Sequence, residues 1–239
     1  MATAVVSDRP AEVGRGFYLV MFLVMVGILV AGFSQTVPDD FAPTPGLPLL
    51  LHVHGAVFTC WVLIMVAQPS LVVAGNLRRH IQIGTIGMVL AAAMVVMAVA
   101  ATLYSVGHHL VPVFFPKPVF LVQNLLIIAV FAGLITAAFA LRRQAEWHKR
   151  LMYCSCAALL GPGLGRFLPM DSFGAAAPLV LYAVNDLVLI AGPVADLVVR
   201  KRVHPAYIWG VVSLVLAEVA IGPIAFSPLA AWGVRALGG

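Results

Sequence analysis

Charge is what this sequence has least of. Charged residues make up 10% of its 239 residues, against about 25% in an ordinary soluble domain. A chain that is 62% hydrophobic and so poor in charge cannot cover a water-facing surface, which excludes a soluble globular protein. Every polar stretch is short, so nothing marks a second, soluble domain. Cysteine is scarce as well. Cys60, Cys154 and Cys156 all lie in apolar runs, which argues against a disulfide framework. Cys154 and Cys156, two apart on a helix, point different ways and make a poor two-thiolate metal grip. Several catalytic signatures are missing: the zinc-protease H-E-x-x-H, a phosphate-cradling glycine loop, and G-x-S-x-G. The last apolar run contains no lysine, which excludes a retinal Schiff base there.

Long apolar runs are what the chain does have. Seven of them, at 17–35, 49–74, 82–105, 118–141, 149–168, 176–198 and 206–225, each reach roughly the 20 residues that cross a hydrocarbon layer. The expected fold is all-α: a polytopic bundle of seven transmembrane helices over 17–226, preceded by a short segment 1–16 and followed by a tail 227–239. The first run is longer than the apolar region of a signal peptide, and Gly32-Phe33-Ser34-Gln35 is a poor cleavage site, so it reads as a retained span. Residues 36–48, with Asp39, Asp40 and four prolines, read as an extended outer loop.

Positive charge sorts the two sides. Arg9, Arg15, Arg78, Arg79, Arg142, Arg143, Lys149, Arg150, Arg200, Lys201 and Arg202 fall on one side, leaving Lys117, Arg166 and Arg235 for the other. Lys and Arg accumulate on the cytoplasmic face, so the expected topology is N-terminus cytoplasmic and C-terminus periplasmic, in a bacterial inner membrane. The basic loops, with a sequence pI near 9.5, suit anionic lipid headgroups and require no nucleic-acid partner.

The third run carries Gly84, Gly87, Ala91, Ala98 and Ala101 at helical spacings, a face that lets neighbouring helices approach closely. Gly192-Pro193 predicts a kink in the sixth run. Gly161-Pro162-Gly163-Leu164-Gly165, just before Arg166, reads equally as a packing kink or as the broken helix of a binding site.

Polar residues at membrane depth carry the functional expectations. His54, Trp61 and Gln68 lie seven apart on one face of the second run, two helical turns per step, and that face should look inward. Asp186 and Glu218 fall at similar depth, about 15 Å and about 12 Å below the outer boundary. With His54 they form a candidate outer metal or proton site, and Gln123, Asn124, Arg166, Asn185 and Gln68 complete the polar set. At the cytoplasmic ends His80, His148 and His204 each begin a span. Imidazoles from separate helices at one level can hold a transition metal, or two can grip a haem iron axially. The neighbouring arginines would suit haem propionates.

Two helix starts carry a resemblance. His148-Lys149-Arg150-Leu151-Met152 resembles the H-R-R-L-M start of a span in small bacterial inner-membrane proteins implicated in haem-copper oxidase assembly. Arg79-His80 followed by Gly84 is similar to the H-x-x-x-G start found in haem A synthase-like and b561-type cytochromes. The seven-run layout resembles an uncharacterised family of bacterial multi-pass inner-membrane proteins. The b561-type pattern pairs axial histidines on both sides of the membrane, whereas the outer layer here offers only His54 inside a span. The resemblance therefore implies at most one inner site, at His80, His148 or His204, for haem b or a transition metal. The expected function is respiratory redox chemistry or its assembly. Two alternatives stand beside it: a carrier or receptor for a small polar solute, with or without proton coupling, and a non-catalytic subunit bound to a membrane-complex partner.

Overall fold

Proline sets where the helices begin. A proline lacks the backbone N–H that the first helical turn leaves unpaired anyway, so it is tolerated there. In the computed structural model, which describes residues 13–36 and 47–238, Pro48 caps the second helix and Pro118, Pro162, Pro178, Pro205 and Pro228 each sit in the first turn of a later one. The helices are α1 Arg15–Phe33, α2 Leu49–Val73, α3 Leu77–Gly107, α4 Lys117–Ala140, α5 Ala145–Ala158, α6 Gly161–Phe167, α7 Ala177–Arg200, α8 Pro205–Ala225 and α9 Pro228–Ala236, with a 3-10 segment, Met170–Ala176, leading into α7. Among the described residues there is no strand. Arg9 and most of the expected outer loop, including Asp39 and Asp40, lie outside the described residues.

Six helical stretches are long and apolar enough to cross a membrane: α1, α2, α3, α4, the 3-10 segment with α7, and α8. The run expected at 149–168 differs. It forms two shorter helices, α5 and α6, separated at Leu159 and Leu160. Its position explains its composition. α5 packs against α1, α4, α7 and α8, and α6 packs against α1 and α7. Leu151 and the whole stretch from Tyr153 to Ala158 are buried. A helix surrounded by protein need not be apolar all round, because no part of it meets lipid.

α1, α4, α7 and α8 surround this axis, and α2, α3 and α9 lie outside them. α1, α2, α3 and α4 pack in sequence, α4 packs against α8, and α8 against α7. α6 sits between α1 and α7, and glycine makes this fit possible. A Cβ on Gly32 of α1 would collide with the backbone carbonyl of Gly163, and one on Gly163 would lie 3.1 Å from Leu29 Cα. Gly163, within the glycine run before Arg166, thus serves close backbone contact between α6 and α1.

α2 lies on the periphery. Only Trp61 and Met65 are buried in it, and the expected polar stripe does face inward. His54 reaches the Met97 carbonyl of α3 at 3.4 Å, Trp61 meets Phe131 edge-on at 5.8 Å, and Gln68 lies 3.8 Å from where a Gly84 Cβ would be. The small residues of α3 accordingly form a packing face. The tail becomes α9, whose Val234 packs with Val106 and Leu121 in a small separate apolar cluster.

Candidate functional site

The described polar side chains gather at the two ends of this bundle, and the chemistry at each end is different. At the end where α3, α5 and α8 begin, Arg150 and Asp196 are fully buried. The α7 stripe Leu181, Asn185, Leu189, Gly192, Asp196 faces the interior, which carries Asp196 against α5. Arg150 donates from Nε to Asp196 Oδ2 at 3.0 Å and from Nη2 to Oδ1 at 2.5 Å. Its Nη1 donates to the Glu146 backbone carbonyl at 3.0 Å and to Glu146 Oε2 at 2.5 Å. Asp196 Oδ2 also accepts from Arg200 Nη1 at 3.1 Å and from the His204 backbone N–H at 3.0 Å. Lys149 pairs with Glu146. Burial pushes the Glu146 carboxyl up, but its bonds to Lys149 and Arg150 more than offset this and hold it below the usual range.

Aromatic rings close over this network. The Arg150 guanidinium lies 5.5 Å from the Tyr207 ring centre, and the Tyr18 and Tyr207 hydroxyls are 3.2 Å apart. Tyr153 donates its hydroxyl to the Val188 carbonyl, in the turn of α7 that precedes Pro193. A Cβ on Gly192 would lie 2.5 Å from the Tyr207 ring, so glycine is what admits that ring. Arg150 is therefore an interior residue with every charge answered, and not a loop cation as its place in the charge count suggests.

Beside this network the structure brings His80 and His148 together, their ring centres 6.3 Å apart and nearly perpendicular. His148 Nδ1 lies 2.8 Å from the Ala138 carbonyl. A carbonyl only accepts, so Nδ1 carries the hydrogen and Nε2 keeps a free lone pair. His80 Nδ1 lies 3.4 Å from the Gln68 carbonyl and directly against the Gln68 side-chain amide. With the amide nitrogen turned toward His80, it donates to Nδ1 at 2.5 Å and to the His80 carbonyl at 3.2 Å, while its oxygen accepts from the Gly84 N–H at 3.0 Å. With the oxygen turned toward His80 it would face the His80 carbonyl oxygen while the amide nitrogen faced the Gly84 N–H, so the first orientation is the satisfied one and leaves the hydrogen on His80 Nε2. The Gln68 amide thus sets the His80 tautomer, a role its place on the stripe only hinted at.

His204 is not part of this pair. Its Nδ1 accepts from the Ala206 N–H at 3.1 Å, capping α8, and its ring meets Trp147 at 5.1 Å. Burial, then the positive charges of Arg150 and Arg200, hold its pKa below the ordinary imidazole value.

At the opposite end the expected residues separate into distinct features. His54 stacks on Phe58 at 4.3 Å. Arg166 donates to Thr36 Oγ1 and to the Pro162 carbonyl, both at 3.0 Å, and covers Phe33 at 4.3 Å. Asn124 bonds its own helix, donating to the Phe120 carbonyl at 2.7 Å. Gln123 accepts from the Tyr182 hydroxyl at 2.6 Å. Asn185 is 5% exposed, and its Oδ1 has no hydrogen-bond partner. Asp186 and Glu218 are brought together, carboxyl to carboxyl. Asp186 Oδ1 is sealed from solvent and receives no N–H or hydroxyl. Among the described residues no group of three or more His, Cys, Asp or Glu side chains is placed to hold a metal ion, so His54, Asp186 and Glu218 do not form a three-ligand site. Glu218 and Tyr182 line a cavity of about 860 Å³ between α7, α8 and the two loops at that end.

No family model matches the chain, and no curated protein or solved structure is significantly similar to it.

Proposed function

We propose that the chain is a seven-span protein of the bacterial inner membrane, N-terminus cytoplasmic, that binds haem b or a transition metal at His80 and His148 and serves respiratory redox chemistry or its assembly. The seventh span is α5 with α6. Its support is that His148 begins it beside His80, whereas Arg166 near its far end bonds Thr36 just past the end of α1. The exposed basic residues Arg78, Arg79, Arg142, Arg143, Lys201 and Arg202 all lie at the His80 end, which supports that end as cytoplasmic.

The observation that carries the reading is the histidine pair itself. A ligating imidazole typically gives its other N–H to a carbonyl, which fixes tautomer and orientation, and His148 is held in that way. Two metal–nitrogen bonds of about 2 Å each put the nitrogens about 4 Å apart and the ring centres somewhat farther, compatible with the 6.3 Å seen. His148 offers a free Nε2 as it stands, whereas His80 would join it only once the Gln68 amide gives up its bonds to the His80 carbonyl and the Gly84 N–H and turns its oxygen to Nδ1. Bound there, haem or copper would supply one-electron transfer. The chain's own part is to fix both rings, with the arginines at that end available to acidic groups on the cofactor. A non-catalytic role beside a larger membrane-complex partner is compatible with the same site.

An absorption spectrum and metal analysis of the purified protein test this reading. The expected result is a Soret band or one metal per chain, lost in His148→Ala. Neither signal in the wild-type protein would overturn it.

A further inference from the structure

The cavity at the other end is a separate feature, independent of the histidine pair. Its described walls are mostly apolar and aromatic, including Phe114, Phe115, Tyr182 and Phe226, and among the described lining residues there is no lysine, arginine or histidine. Glu218 reaches it from α8 and Asp171 from the 3-10 segment. Its volume of about 860 Å³ is in the range that encloses most of a small organic molecule. The Tyr182 hydroxyl is committed to Gln123, so this ring offers the cavity its face and not a donor.

That lining excludes most solutes. An anion would meet only carboxyl groups. A sugar-like neutral solute would leave most of its hydroxyls unpaired against apolar walls, a heavy desolvation cost. A bare inorganic cation would want six or more oxygens around it. A cation with an apolar body finds what it needs: aromatic faces for the body and the charge, and one unanswered acid. The acid is unanswered because two carboxyls in contact cannot both be ionised without strong repulsion. With no N–H or hydroxyl at Asp186 Oδ1, a single proton shared by Asp186 and Glu218 is what relieves that repulsion. An ammonium at Glu218 can take the place of that proton, which leaves to solvent.

The geometry points to a binding site for amphiphilic organic cations in this cavity, with Glu218 receiving the cationic group and Asp186 sharing the proton it displaces. Binding and protonation therefore compete, and affinity falls as the medium is acidified.

The test uses the full-length protein in lipid nanodiscs with rhodamine 6G, a fluorescent lipophilic cation, and fluorescein as the anionic control, read by fluorescence polarisation. Saturable rhodamine binding, weakened at least tenfold by Glu218→Gln and weakened by acid, is the expected result. Gly222→Leu supplies a steric check. Gly222 lines the cavity, and a Cβ there meets nothing within 4 Å, so a larger side chain can extend into the cavity space. It too should abolish binding while thermal unfolding stays at the wild-type temperature. Rhodamine binding that is non-saturable, or equal in wild type, Glu218→Gln and Gly222→Leu, would overturn the proposal. So would tighter binding of fluorescein than of the cation.

Discussion

The two ends of this bundle bury carboxylates in opposite ways. Asp196 meets Arg150, Arg200 and a backbone N–H, and both of its oxygens accept hydrogen bonds. Asp186 meets another acid. A buried charge is tolerated when it is paired and hydrogen-bonded, and otherwise it must take up a proton. The first arrangement locks helices together, joining α5 to α7. The second stores a proton beside a cavity. The residue type is the same at both places, so the partner decides whether an acid is structural or functional.

The largest effect should come from breaking the locked end. Asp196→Ala leaves the Arg150 guanidinium buried with only Glu146, and loss of one partner of a buried pair costs about 3–5 kcal/mol. Denaturation in mild detergent would then show a protein that unfolds far below the wild-type temperature or fails to accumulate. The same change at the other end should behave differently. Glu218→Gln keeps a hydrogen bond to Asp186 and removes the like-charge contact, so its stability should stay within about 1 kcal/mol of wild type or rise. A large loss there would erase the contrast.

A smaller effect is expected where packing, not charge, holds the locked end. Gly192→Ala pushes a methyl into the Tyr207 ring, and overpacking of this kind costs about 1–3 kcal/mol. The same change at Gly133, where a Cβ meets nothing within 4 Å, should be neutral or slightly stabilising, as alanine is the better helix former. Unfolding temperatures of the two variants give the comparison.

The smallest effect is a pH dependence. The folded pKa of His204 lies below its ordinary value of 6.5, so the native state resists a proton that the unfolded chain accepts. Its contribution to stability is present above about 6.5 and lost as pH falls towards the lower folded value. Glu146, also depressed below its ordinary 4.5, loses its contribution in a more acidic window. The groups that set the His204 shift are Arg150 and Arg200, opposed by Asp196 and Glu146. His204→Asn keeps a residue able to cap α8 but removes the titration, so the melting temperature should fall less between pH 7.5 and pH 5.5 than in wild type, at about those two values.

Much of this was legible in the sequence, and the rest was hidden for identifiable reasons. Six apolar runs became long apolar helices because hydropathy alone fixes such elements. The inward face of α2 followed from the spacing of His54, Trp61 and Gln68, and the nearness of Asp186 to Glu218 from depth. The run at 149–168 was readable as a helix but not as the axis of the bundle, since hydropathy does not distinguish lipid contact from the protein contact that buries Tyr153 to Ala158. Arg150 was hidden because a basic residue near a helix start ordinarily faces headgroups. Only the stripe Leu181, Asn185, Leu189, Gly192, Asp196 carried the signal that an acid points inward and needs a base. The expected grouping of His80 and His148 with His204 failed to separate a ring facing another ring from a ring capping its own helix, a difference of χ angles that spacing does not contain.

The contrast between the ends is tested most directly by infrared spectroscopy of the protein in neutral buffer, read in the carbonyl stretch of protonated carboxylic acids. The account predicts such a band in the wild-type protein, lost when both acids are replaced (Asp186→Asn with Glu218→Gln) and unchanged in Asp196→Asn. Absence of the band in wild type, or its loss only in Asp196→Asn, would contradict it.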